Sequence, residues 1–475
     1  GMLNLVLQET KLPEARFLEP ACGTGNFLQE ILRRKLKILR RRYRNDQAQY
    51  ESAALTAVSS LYGIDILPDN VEECRVRLLL TLDREYISLF RTEADDSFLR
   101  KVRKILAKNI LCGDTLTGTA PDGSPILFTE WLSDESAFRV HTLPDLLENP
   151  DPPSMEFDVI VGNPPYHLSD GGNKSSAKPL YHLFIQRAKQ LRPRYLTMII
   201  PSRWYHGGKG LDGFRREMLN DLHLRRLVDY DDATECFPGV DISGGICYFL
   251  WDRDHPGKCR VTTHLKGKAR TVERRLNEFP VFLRYSEAAH IVKKVTAGQP
   301  ICLNGQVTSR KPFGLATNVL PTTDGDLILR YNGGTGPFRR ELVPSGREMI
   351  DQWKVILSYI SYDHAGRPDK NGMRKVMSVV EILPPGGICS ETYLVAGAFG
   401  DEQEAIHLRQ YLRTKFVRFL IAQIAASQHI TKGCFAFVPV QDYQESWSDE
   451  KLFRKYRLTE REIDFIDSTI RPMDG

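Results

Sequence analysis

None of the nine cysteines stands in a Cys-x-x-Cys pair; they are scattered over positions 22, 74, 112, 236, 247, 259, 302, 389 and 434. That spacing excludes a zinc ribbon and a disulfide framework, and it fits a reducing cytoplasm. No apolar run approaches the ~18 residues that cross a bilayer and no signal-peptide pattern opens the chain, so no membrane partner is expected. Gly1 before Met2 reads as a tag-removal scar. A Gly-x-x-x-x-Gly-Lys-Ser/Thr phosphate loop is missing, which excludes motor activity. There is no Asp…Glu-x-Lys nuclease cluster, and no two of the eleven histidines have metal-ligand spacing, so no metal is expected. Charge is not extreme either, at +5 overall, but it is uneven. Residues 1–254 hold 33 Lys+Arg against 36 Asp+Glu, whereas residues 255–475 hold 32 against 24. A basic excess confined to the C-terminal half suits a half that faces a polyanion.

At 475 residues the chain exceeds one ordinary core, and a boundary is expected at 255/256. Residues 16–254 alternate short apolar runs with helical patterns, which predicts an α/β domain with a mostly parallel sheet. The runs predict strands over Arg16–Glu19, Leu61–Ile66, Ile110–Gly113, Phe157–Val161, Leu196–Pro201, Leu224–Asp229 and Gly245–Trp251. Phe27–Leu39, Pro68–Leu82 and Leu180–Gln190 carry helical periodicity, and Thr115–Met155 reads as an excursion between strands. Residues 256–285 look like a basic junction. Short strands and glycine turns follow over 286–400, then helices over 401–428 and 448–470.

Phe157-Asp158-Val159-Ile160-Val161-Gly162 reads as a buried strand stopped abruptly by Asn163-Pro164-Pro165-Tyr166. The two prolines stiffen an extended turn and withhold backbone donors. They hold a polar amide rigidly at a strand tip, with an aromatic ring three residues on, a device for gripping a flat amino-bearing ring. Upstream, Phe17-Leu18-Glu19-Pro20-Ala21-Cys22-Gly23-Thr24-Gly25-Asn26 reads as strand, glycine turn and helix start. Gly23 and Gly25 let the backbone approach a ligand, and the helix opening attracts an anion. Glu19 would repel a pyrophosphate yet suits an ammonium group, and a nucleoside ligand carrying both carboxylate and ammonium is S-adenosylmethionine. Asp65 ends the second strand, where such folds hand an acid to ribose hydroxyls, although it lies 40 residues after Gly25; a helical insertion around residues 40–60 accounts for the excess. Asp114 ends the third strand and could accept from an adenine amino group. Each acid could instead be a loop cap bonded to nearby backbone amides.

With these pieces in order, the chain resembles the amino-group DNA methyltransferases, specifically the N6-adenine enzymes of type II and type IIG restriction-modification systems in the gamma arrangement. The resemblance rests on residues 19–27, Gly63-Ile64-Asp65-Ile66, Gly113-Asp114 and Gly162–Tyr166. It continues in Ile200–Trp204 and in Val228-Asp229-Tyr230 through Cys236-Phe237-Pro238-Gly239. Family members carry a further Thr-Pro motif upstream of the glycines; the 16 residues before Phe17 hold no match, and weakened cofactor binding is one expectation.

The resemblance implies an S-adenosylmethionine-dependent methyltransferase domain of Rossmann-like α/β fold over residues 1–255. An α+β target-recognition domain with a helical C-terminus would occupy 256–475. It implies cofactor contacts from Glu19, Pro20, Ala21, Cys22, Gly23, Gly25, Asp65, Ile66 and Asp114. Catalysis falls to Asn163, Pro164, Pro165 and Tyr166, with Tyr166 and Phe237 on the two faces of an extruded adenine; a core role for Phe237 is the alternative. Double-stranded DNA is the implied partner, with a restriction endonuclease subunit or fused domains beyond this chain; a cytoplasmic, nucleoid-associated monomer is expected.

The loop 167–176 is predicted to be mobile without DNA, with Lys174 or Lys178 reaching phosphate. Arg310, Lys311, Arg330, Arg339 and Arg340 are candidates for phosphate or guanine contact. The run Arg33–Arg44, eight basic residues in twelve, reads as a solvated helix face. Two other functions fit the same motifs. A protein-glutamine methyltransferase would use Asn-Pro-Pro-Tyr to grip a carboxamide, and a non-catalytic DNA specificity module would have lost its cofactor.

Overall fold

The computed structural model describes residues 1–132, 138–147, 155–167, 178–208, 210–239, 242, 244–265, 267–361, 369, 372–425 and 429–473. The chain divides into two compact units, Gly1–Pro280 and Val281–Gly475. In chain order the first unit contains β1 (Phe17–Glu19), α1 (Asn26–Arg42), α2 (Gln47–Ser59), β2 (Leu61–Asp65), α3 (Pro68–Phe90), α4 (Asp96–Asn109), β3 (Ile110–Cys112), β4 (Leu127–Trp131), β5 (Phe138–Thr142) and α5 (Leu143–Leu147). Then come β6 (Val159–Gly162), α6 (Tyr181–Gln190), β7 (Tyr195–Pro201), α7 (Asp212–Asn220), β8 (Leu224–Tyr230), β9 (Ile246–Asp252), β10 (Cys259–Leu265) and β11 (Lys268–Arg274).

All but β4 and β5, which form their own hairpin within the Thr115–Met155 excursion, join one sheet in the order β11-β10-β8-β9-β7-β6-β1-β2-β3. Strands β7, β6, β1, β2 and β3 are parallel, and β9 lies antiparallel between β7 and β8. The chain lays β1, β2 and β3 outward in one direction, then crosses back to place β6 and β7 on the other side of β1. That reversal leaves a crevice beyond the carboxyl ends of β1 and β6, where open α/β sheets receive their ligands.

Helix α1 shows why the basic run is not simply a solvated face. Its buried positions are Leu28, Ile31, Leu32, Lys35, Leu36 and Leu39, a stripe at helical spacing that includes a lysine. Lys35 is fully buried; Nζ donates to Pro13 O at 3.0 Å and Ala15 O at 2.6 Å and lies 2.5 Å from Ser60 Oγ. It ties together the segments entering β1 and β2. Burial pulls its ammonium down to about 7, against attraction from Asp158 and Glu14. Arg33, Lys37, Arg41, Arg42 and Arg44 are exposed as expected.

The domain boundary also moves, from 255/256 to 280/281. The predicted junction contains β10, which runs parallel to β8 over Arg260–His264, and β11, which closes the edge as an antiparallel hairpin. Polar and basic residues alternate with apolar ones along this edge pair, so it lacks the continuous apolar run of a central strand.

The second unit contains α8 (Ser286–Val295), β12 (Leu327–Tyr331), β13 (Gly334–Phe338), β14 (Trp353–Ser358), β15 (Val380–Leu383), β16 (Gly387–Cys389) and β17 (Tyr393–Phe399), then α9 (Glu402–Arg413), α10 (Lys415–Ala422), α11 (Asp449–Lys455) and α12 (Glu460–Thr469). Its strands form two three-stranded sheets, β13-β12-β16 and β15-β14-β17, over a core including Phe313, Leu329, Ile356, Ile388 and Val395. The helices predicted over 401–428 and 448–470 are each broken in two. Thr414 caps the second of the first pair, and a Thr459–Glu462 capping box starts α12.

Candidate active site

The glycine turn follows β1 and is braced from beneath. Gly25 sits at φ +80°, and an added Cβ would overlap Cys74 Sγ on α3. The thiols of Cys22 and Cys74 meet there, and Cys74 with burial holds that of Cys22 far above the ordinary range. Gly23 also has positive φ, +51°, but a Cβ there would meet nothing within 4 Å. Arg77 of α3 clamps the turn from outside, donating to Thr24 O and Thr24 Oγ1, both at 2.8 Å, and to Gln29 Oε1 at 2.7 Å. Thr115 Oγ1 donates to Pro20 O at 2.5 Å. Neither Arg77 nor Thr115 was legible from the sequence, since each acts on backbone or on a turn distant in the chain.

Glu19, at the tip of β1, is buried, and its Oε2 has no hydrogen-bond partner among the described residues. Burial pushes its carboxyl well above the usual range, and Cys74 and Asp65 add to the rise while the Leu28 amide opposes it. The two other acids are engaged as caps. Asp65 Oδ2 accepts from Gly23 N at 2.8 Å, and its Oδ1 accepts from Leu67 N and Asn70 Nδ2, both at 3.0 Å. Asp114 Oδ1 accepts from Leu116 N at 2.8 Å, closing a short turn. Beside Asp65, Ile66 is 65% exposed, an apolar side chain left in the open at a strand end.

Asn163 directly follows β6, and β6 pairs with β1. A Cβ on Gly162 would lie 3.6 Å from Pro20 Cδ and 3.9 Å from Glu19 Cγ, so the proline turn and the glycine turn abut. Asn163 and Pro165 are exposed, whereas Pro164 is buried. The Asn163 amide makes no hydrogen bond among the described residues. Tyr166 is half-buried; its backbone carbonyl accepts from Leu180 N at 3.0 Å, and its hydroxyl, pushed up by burial, is buried without a partner among the described residues. The Cys236 and Cys247 thiols lie in its surroundings. Phe237 is half-buried and packs against the main core cluster. Below, Asp229 is fully buried and accepts from Ser202 Oγ at 3.0 Å and Tyr205 Oη at 2.9 Å, which fixes the ends of β7 and β8. Lys174 and most of the loop 167–176 lie outside the described residues.

Of the basic candidates in the second unit, Arg330 is paired with Glu381 and Arg340 with Asp326 and Asp351. Arg339 pairs with Asp324, and Arg310 and Lys311 lie beside Glu391.

Residues 59–237 match the family described as Eco57I restriction-modification methylase. The match takes in Asp65, Asp114, Asn163–Tyr166 and Phe237. Among named relatives, an uncharacterized adenine-specific methylase of Mycoplasma pneumoniae is 36% identical over 122 residues, 25% of this chain and 29% of that protein. The type II restriction enzyme and methyltransferase RM.Eco57I of Escherichia coli is 25% identical over 257 residues, 47% of this chain and 23% of that protein. The chain thus spans less than a third of either relative. Among solved structures, the type IIL restriction-modification enzyme MmeI in complex with DNA aligns over 87% of this chain and 61% of its own, at 12% identity and a TM-score of 0.46. No helix among the described residues is long and apolar enough to cross a membrane.

Proposed function

We propose that this chain transfers a methyl group from S-adenosylmethionine to the N6 amino group of adenine in DNA. The first unit would be a Rossmann-like catalytic domain and the second a target-recognition region. The observation that carries the reading is the abutment of two strand tips at the switch point: a proline-stiffened, unbonded amide on one, a glycine turn with a buried acid on the other.

The residues fit the donor. Glu19 Oε2 is a buried acceptor lacking a donor, which an ammonium group would satisfy. Open space above Gly23 admits a ligand against the backbone, and Ile66 offers an apolar edge for a base. Asp65 keeps acceptor capacity for a hydroxyl beyond its three protein donors, since a carboxylate has about four lone-pair sites. When bound, S-adenosylmethionine supplies a methyl group activated by a sulfonium.

The chain's own residues act on the base. An adenine in duplex DNA must leave the stack, at a cost of a few kcal/mol, to reach such a crevice. Its amino nitrogen is a poor nucleophile because the lone pair is delocalised into the ring. The Asn163 side-chain oxygen and the Pro164 carbonyl would accept the two amino hydrogens and draw the nitrogen toward tetrahedral geometry. Acceptors fixed in advance where positive charge develops need no reorganisation during the reaction. The half-buried Tyr166 ring would stack on the base, with Phe237 toward its other face.

Incubation with labelled S-adenosylmethionine and mixed DNA, followed by digestion to nucleosides, tests the proposal. Label in N6-methyladenosine supports it. Label recovered in protein would point to glutamine methylation, and no transfer despite DNA binding would point to a specificity module.

A further inference from the structure

We infer that Arg310 reads a guanine in the recognition sequence, with Tyr359 as its platform and Glu391 as its positioning residue; this rests on the reading of the second unit as DNA-facing. The Arg310 guanidinium lies 4.9 Å from the Tyr359 ring centroid. Its Nε is 3.4 Å from Glu391 Oε2, and its side chain is 53% exposed. Neither terminal nitrogen has a partner among the described residues, so the half-exposed guanidinium keeps its two terminal donors for a ligand.

The support beneath the fork is rigid. Glu391 is buried, and its Oε1 accepts from Thr317 N at 3.0 Å and Thr317 Oγ1 at 2.9 Å. The segment bearing Arg310 is pinned at both ends: Thr308 N donates to Val395 O, and Glu391 N donates to Leu315 O, both at 2.9 Å. Phe313 between them is fully buried. Tyr359 is held by Tyr359 N to Thr392 O and by Ile430 N to Tyr359 O, both at 2.8 Å.

The other arginines differ in kind. Arg340 spends Nε on Asp326 and both terminal nitrogens on Asp351, each at 2.8 to 2.9 Å. Arg330 gives Nε and one terminal nitrogen to Glu381. Arg339 is anchored through Nε to Asp324, a 67% exposed carboxylate, and no ring carries it among the described residues. A guanidinium that is oriented, desolvated on one face and free at its fork matches the paired O6 and N7 acceptors of guanine. The Glu391 carboxylate at its back disfavours an incoming phosphate, whereas a neutral base edge meets no such repulsion. Lys311 lies 3.6 Å from the same carboxylate, which tempers its charge likewise.

Selection of a randomised duplex library by the full chain, with methylated positions read in the same pool, tests this. Arg310→Ala and Arg310→Lys should each lose about ten- to a hundredfold of guanine preference at one position and keep the preferences elsewhere. Glu391→Gln should lose part of it at that same position. A 7-deazaguanine there should weaken the wild type and leave Arg310→Ala unchanged. Uniform weakening of all sequences by Arg310→Ala, with a shallower salt dependence and rescue by lysine, would overturn the inference in favour of a phosphate contact. So would failure of the chain to select any DNA. A guanine preference that depends on Arg310 without methylated adenine would sustain the inference and sink the methyl-transfer reading. Methylated adenine with all preferences intact in Arg310→Ala would do the reverse.

Discussion

Gly25→Ala separates two kinds of strain in the glycine turn. A φ of +80° is disfavoured for any residue with a Cβ, at about 1–2 kcal/mol. The new methyl would also overlap Cys74 Sγ, which is fully buried on α3 and cannot retreat; overpacking of this kind costs about 1–3 kcal/mol. The sum, about 2–5 kcal/mol, should fall on the first unit and be read by hydrogen exchange at the amides of β1 and α1. Cys74→Ala in the same chain removes the overlap but not the backbone term. The double mutant should therefore regain about 1–3 kcal/mol, a coupling measurable as a double-mutant cycle. Gly23→Ala is the control. It bears the backbone term alone, since space above it is open, yet it places a methyl where the donor would approach. It should cost about 1–2 kcal/mol of stability while weakening S-adenosylmethionine binding in calorimetry. Equal destabilisation by the two substitutions, with no rescue from Cys74→Ala, would refute the packing argument.

Asn163→Ala should lower methyl transfer by at least about a hundredfold, the scale of losing one preorganised transition-state partner, while calorimetric donor affinity is unchanged. Near-normal turnover in that variant would remove the amide from the mechanism. Glu19→Gln should weaken donor binding by about ten- to a hundredfold, as expected for losing a charged hydrogen bond. Because the folded-state pKa of Glu19 is raised, wild-type stability should fall as pH rises from the ordinary carboxylate value through the folded one; the Gln variant should lack this dependence and unfold at higher urea near neutrality. Lys35 has the opposite sign. Its folded pKa is lowered to about 7, so the unfolded chain binds the extra proton between there and the ordinary lysine value, and stability should rise with pH across that window. Relative to Lys35→Met, the wild type should gain up to about 1.4 kcal/mol per pH unit in urea unfolding between pH ~7.5 and ~9. A pH-independent difference would mean that its oxygen partners keep the ammonium charged.

The parallel half of the first sheet was readable because its strands are buried on both faces and announce themselves as unbroken apolar runs. The abutment of Gly162 and Pro20 is readable only as a consequence of topology: nothing local in residues 157–166 says that β6 will cross back beside β1. Edge elements were less legible. In β10 and β11, Arg260, Thr262, Arg270 and Glu273 dilute the apolar signal, so the hairpin reads as a junction. Lys35 belongs to the core despite its charge, because its spacing from Leu28, Ile31 and Leu32 places it on the apolar stripe of α1. The roles of Asp65 and Asp114 as caps follow from backbone amides two residues onward, which any loop acid could reach. No pattern distinguishes Arg310 from Arg340, since the carboxylates that occupy Arg340 arrive from Asp326 and Asp351 through the fold.

Those internal ion pairs bear on how the second unit would respond to salt. A guanidinium already neutralised by its own carboxylates displaces no condensed counterions from a polyanion, so formal composition overstates the available charge. Binding of DNA should then weaken with added salt at a slope set by the cations that carry no internal ion pair, and shallower than the basic excess of residues 255–475 suggests. Sequence discrimination would consequently survive ionic conditions that abolish nonspecific adhesion.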